Sequence, residues 1–161
     1  MPDRPSRLWK DLPPDTRQEA AIAFWRDESS SDVEVHHAEA VFAIAKRLKF
    51  RPKSVQALSE DKLARYLAQM GDVSDGVATR ALIAYHFQTK RPLMAAFLDA
   101  LGIAHENGLI TAESVPPPDG AALTAAIDRL RAAFSEAEVL LYLKTLLVLD
   151  GDTWANLPID R

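Results

Sequence analysis

The sequence contains no cysteine. That excludes disulfides, thiolate metal sites and cysteine nucleophiles, and it fits a reducing cytoplasm. Long hydrophobic runs are missing too. The longest strongly apolar stretch, 139–149, is interrupted at Lys144 and falls well short of the roughly 20 residues that span a bilayer. The first twenty residues set Pro2, Pro5, Pro13 and Pro14 among charges and lack the apolar core of a signal peptide. A soluble, cytoplasmic protein without a membrane partner is expected. Motifs of catalysis are absent as well: there is no G-x-S-x-G, phosphate loop, H-E-x-x-H or G-x-G-x-x-G, and each of those spacings is what its chemistry needs. No stretch alternates apolar and polar residues over a useful length, so no strands are expected.

What is present is ordinary globular composition, 48% hydrophobic and 26% charged over 161 residues. A domain of this length buries roughly 70% of the surface its unfolded chain exposes, enough for a self-sufficient core. The expected fold is all-α, a single-domain irregular bundle of about six to eight helices. Residues 1–10 read as an N-terminal arm anchored by Leu8 and Trp9, and residues 11–161 as one helical domain.

The stretch 74–101 organises the rest. It reads as two helices broken near 88–91, with Pro92 in the first turn of the second, where the missing N–H costs nothing. The first is apolar on nearly every side, as expected of a helix that others surround. Further helices are expected over 13–27, from Ser31 to Leu48, from Ser59 to Met70, and over 121–150 as a C-terminal hairpin, with a short turn over 52–58. Ser31–Glu34 and Ser135–Glu138 have capping-box spacing, and Ser59 and Asp119 stand at cap positions. On the 31–48 helix the core stripe is Val33, His37, Val41, Ile44 and Leu48; Val35 and Phe42 point almost opposite. That helix therefore either packs on two sides or exposes an aromatic. Residues 103–110 read as a short helical turn closed at Asn107-Gly108. The one convincing linker is 111–120, with Pro116, Pro117 and Pro118 in extended conformation. In the final helix Leu143 and Leu147 are both expected to be fully buried, and Trp154 and Leu157 to dock behind it.

Net charge is −4 but unevenly placed: between residues 40 and 91 ten Lys or Arg stand against four acids. The sharpest local feature is the basic run Lys46, Arg47, Lys49, Phe50, Arg51 and Lys53. Cations with an aromatic among them suit an acidic protein partner, or phosphate and a stacked base. Cations also favour a helix C-terminus through its dipole, which is the plainer reading. No exposed recognition face of Arg, Asn or Gln follows in the 55–70 segment. Glu34 and His37 form a single E-x-x-H pair, where a di-metal bundle needs two such pairs and two more carboxylates. They are the weak metal candidates, and no cofactor is expected. His36 and His105 are of the residue type that most often serves as general acid or base but stand beside no nucleophile or cofactor motif.

The function expected is a non-enzymatic helical interaction or scaffold module, with self-association among its options. Its partner-binding residues are Lys46, Arg47, Lys49, Phe50, Arg51 and Lys53. A nucleic-acid-associated regulator using the same turn is the alternative. A small enzyme or metal-binding bundle built on His36 and His37 is the third.

Overall fold

A computed structural model describes residues 4–29 and 31–159. The fold is all-α: α1 (Pro5–Asp11), α2 (Pro14–Arg26), α3 (Asp32–Leu48), α4 (Pro52–Gln56), α5 (Glu60–Gln69), α6 (Asp75–Thr89), α7 (Arg91–Leu101), α8 (Gly120–Ala133) and α9 (Glu136–Leu149), with one small hairpin, β1 (His105–Glu106) and β2 (Leu109–Ile110). Proline opens α1, α2, α4 and α7 in the first turn, where its fixed φ is preorganised for the helix. Two compact units form, Arg4–Tyr85 and the described residues from His86 on, and the boundary falls inside α6. Among the described residues no helix is long and apolar enough to cross a membrane.

In the first unit, residues 5–11 are helical where an arm is expected, and residues 1–3 lie outside the described residues. Only Leu8 and Trp9 are apolar enough to be buried, which is too little for periodicity to show. The Trp9 indole is wholly buried and its N–H donates to the Met70 carbonyl at 2.8 Å, at the C-terminal end of α5. Helix α2 packs along α5, and α3 lies against α4 and α5. Ser59 caps α5 as its position requires, accepting from the Lys62 N–H. The Ser31 cap does not form: Ser31 is itself in the right-handed helical conformation and makes no side-chain cap bond, because a capping hydroxyl needs extended backbone to reach the next turn. Ser74 caps α6, its hydroxyl accepting from the Val77 N–H. Val77, Ala78, Ala81, Leu82, Ala84 and Tyr85 are all buried along it.

In the second unit, α7 ends at Gly102 in the left-handed conformation, the C-terminal stop glycine supplies most readily. The expectation of no strands, with a helical turn over 103–110, is corrected here. Asn107 and Gly108 both have positive φ, 49° and 91°, and that pair of angles makes the two-residue hairpin turn that Asn-Gly favours. Gly108 is needed twice over, since a Cβ there would lie 2.9 Å from the Met94 Cβ. Arg91 ties the hairpin tip to the start of α7, donating to the Asn107 carbonyl at 2.9 Å and to the Phe87 carbonyl at 2.8 Å.

Residues 111–119 form no helix or strand. Asp119 caps α8, and Ser135 with Glu138 completes a reciprocal capping box on α9. Hydrogen bonds from Lys90 and then from Ser135 hold the Glu138 carboxyl below its usual range. The core joins Leu93, Phe97 and Leu98 of α7 to Leu123, Ile127 and Leu130 of α8, to Leu143 of α9, and to Trp154 and Leu157 of the tail. Leu147 is only partly buried, against expectation. It lies in the last turn of α9, where Leu149 is already exposed and the chain turns away at Gly151.

Two outcomes follow from this packing. Leu143→Ala leaves a cavity in the core and should cost about 2–5 kcal/mol in denaturant unfolding, whereas Leu147→Ala should cost about 1 kcal/mol, because less apolar area is withdrawn. The second concerns acid. Asp75 is pushed down to about 2 by hydrogen bonds from Ser6 and then Arg4. A carboxyl lowered on folding adds stability above its unfolded pKa and loses it as pH falls. The stability gap between the native chain and Asp75→Asn should therefore hold above pH about 4 and close toward pH about 2, as read by thermal melts across that window.

Candidate functional site

The site is built on α3. Its inner stripe is Val33, Val41 and Ile44, all buried, with His37 and Leu48 at partial exposure. His37 Nε2 lies 2.6 Å from the Phe24 carbonyl, so that nitrogen carries the proton and donates. The ring meets Phe24 edge-on at 4.8 Å and lies tilted against Trp25 at 5.2 Å. Phe24 sits in the last turn of α2, and its carbonyl, which also accepts from the Asp27 N–H at 3.3 Å, has a second lone pair to offer. His37 thus closes the end of α2 and holds the inner face of α3 against it.

With that face fixed, the opposite one must point outward. Val35 is 65% exposed and Phe42 61%, which settles the alternative left by the sequence: α3 exposes its aromatic. Val35, Phe42 and Lys46 fall within roughly 40° of one another at 100° per residue. Single exposed apolar residues are ordinary, but two large ones on the same stripe are not explained by packing.

Helix α3 stops at Lys49, whose φ of 58° is left-handed. The N–H groups of Lys49 and Phe50 both return to the Ala45 carbonyl. The chain then runs extended through Arg51 into Pro52 and α4. This turn brings the sequence-predicted residues together on the surface: Lys46, Arg47, Lys49, Arg51 and Lys53 are exposed, and Phe50 is 49% exposed. Among the described residues none of the five cations makes an ion pair or side-chain hydrogen bond. Several other cations of this unit are paired. Arg26 bonds Glu60, Lys10 lies near Asp72, and Arg80 reaches the buried Asp27 at 3.1 Å. Burial drives the Asp27 carboxyl up, but hydrogen bonds from Ser29 and Arg80 outweigh it and the net shift is downward.

The other candidate residues are not assembled into a site. Glu34 is exposed near the start of α3, and His37 has one ring nitrogen committed to Phe24. Among the described residues no group of three or more His, Asp or Glu could hold a metal ion. His36 Nδ1 lies 3.7 Å from the Glu39 carboxylate and its ring crowds Gly76. His105 is spent on the hairpin, with Nε2 2.6 Å from Asp99 and Nδ1 accepting from the Gly108 N–H. An open groove of about 560 Å³ runs between Leu101, Ile103 and the Val115–Pro118 segment. Its one ionisable lining side chain, Asp119, already caps α8.

Sequence reasoning placed the cations but did not count Val35 and Phe42 as site residues. The signal that could have found them is their position opposite the inner stripe. Comparison with protein-family models, curated proteins and solved structures gives no match to this chain.

The exposure of the basic turn predicts that it contributes little to folding. Changing Lys46, Arg47, Lys49, Arg51 and Lys53 together to Gln should shift unfolding free energy by no more than about 0.5–1 kcal/mol, since exposed side chains without a partner rarely matter more, and Lys49 and Arg51, though at helix ends, act there through backbone alone. Melts at low and high salt check this. A large drop confined to low salt would make the turn an intramolecular clamp.

Proposed function

We propose that the chain is a non-enzymatic interaction module of the cytoplasm that engages protein through the outer face of α3 and the basic turn after it. The observation that carries this reading is the 61% exposure of Phe42, in line with Val35 and beside unpaired cations. Binding energy at protein interfaces concentrates in a few aromatic and cationic anchors, and apolar patches rimmed by charge mark contact surfaces. The five cations around Phe50 favour a second reading, a contact with nucleic acid. Against it stand Asp32, Glu34 and Glu39 on the same helix, which would repel phosphate.

The test compares partners recovered from the native cell by the intact chain and by Phe42→Ser and Phe50→Ser forms that melt normally. A protein set lost from both variants supports the reading. An unchanged set sinks it. For the second reading, DNA binding that uses all five cations would give a slope of log K on log salt near −4 to −5. Such a slope, retained in Phe42→Ser, would move the function to nucleic acid.

A further inference from the structure

Resting on that reading of the α3 surface, we infer that its partner is a second copy of this chain, docked by antiparallel pairing of α3 with α3. The exposed stripe of α3 runs Val35, Glu39, Phe42 and Lys46, at spacings of four, three and four, and Lys49 follows in the turn beyond the helix end. That is the repeat that keeps one seam of a helix facing a partner helix. Along it, charge reverses about Phe42. Asp32, Glu34 and Glu39 precede it; Lys46, Arg47 and Lys49 follow, and Arg51 and Lys53 continue the positive side. The helix dipole favours this distribution of charge in any helix. It does not account for apolar Val35 and Phe42 standing in the same seam.

A two-fold axis beside Phe42 satisfies every position of the seam. Phe42 meets its own copy. Glu39 meets Lys46 of the other chain, twice by symmetry, and Val35 meets the aliphatic stem of Lys49, with Phe50 alongside. The flanking acids Asp32 and Glu34 then run toward Arg51 and Lys53 of the other copy. Such reciprocal contact is what a two-fold interface requires. Parallel pairing would set Glu39 on Glu39 and Lys46 on Lys46, so like charges select the antiparallel arrangement. A nucleic acid matches only the basic half of the face, and an acidic peptide likewise. A second copy matches both halves.

The strip is roughly 25 Å long and about 10 Å wide, well under the roughly 1,200 Å² at which stable interfaces begin. The dimer is therefore weak and reversible, and it loosens with salt.

Sedimentation of the full chain from micromolar to millimolar tests this. The native chain should shift from monomer to dimer and no further. Phe42→Ser should weaken dimerisation at least ten-fold with an unchanged melt. Glu39→Lys and Lys46→Glu should each weaken it at least ten-fold, because each places like charges together twice. The two single variants, mixed, should form a heterodimer, and one chain carrying both changes should recover to within about three-fold of the native affinity. A native chain that stays monomeric to millimolar concentration overturns the pairing. So does a dimer indifferent to Glu39→Lys and Lys46→Glu. If in that event Phe42→Ser still loses its cellular partners, the face binds another protein and only the self-pairing fails. If those partners are also retained, the reading of the surface fails with it.

Discussion

The rotation of α3 about its own axis decides what this molecule shows to its surroundings, and one hydrogen bond does most to set it. An apolar stripe alone fixes a helix only loosely, since a turn of some tens of degrees keeps most of the stripe covered. The His37 N–H aimed at the Phe24 carbonyl, 2.6 Å away and partly buried, adds a direction. Turning α3 away would strand that donor, and an unsatisfied buried polar group costs about 1–3 kcal/mol; the Phe24 carbonyl would keep only the Asp27 N–H at 3.3 Å. The exposure of Phe42 is thus the far side of a polar constraint. The histidine that the sequence offers as a metal ligand is the residue that holds the surface in place.

Charge on the first unit is used in two ways. Where an acid lies within reach, as for Arg26 with Glu60 or Arg80 with Asp27, the cation is committed internally, and in the Asp27 pair it offsets the cost of burying the carboxylate. Around the α3–α4 turn none of the five cations is paired with an acid among the described residues, and the chain places them side by side in water. Exposed pairs contribute little to stability in any case, so leaving these unpaired sacrifices little, and a surface of one sign remains.

Much of the architecture was legible beforehand because helices announce themselves by period and punctuation. Ser59, Asp119 and the Ser135–Glu138 box stand where helices start, and Gly102 where one stops. The failures share a cause: elements too short to have a period. Helix α1 offers only Leu8 and Trp9, and the strands of the hairpin are two residues each, so the Asn107-Gly108 turn was the sole signal of a hairpin and equally resembles the end of a helical turn. At Ser31 the letters of a capping box are present but the backbone conformation is not. For the candidate site, the cations were plain in the sequence. The apolar half was ambiguous, since a second stripe on a helix can be covered or bare, and periodicity does not distinguish the two.

Lys49 carries a consequence of a different kind. It holds a left-handed backbone angle that costs a side-chain-bearing residue about 1 kcal/mol or more and glycine very little. Replacement by glycine would relax the turn and at the same moment delete a cation next to Phe50. Laboratory evolution sorted on thermal robustness alone would be drawn to that substitution early. The variant it enriched would survive heating better and present a less basic surface, so at this turn heat tolerance and surface charge would move in opposite directions.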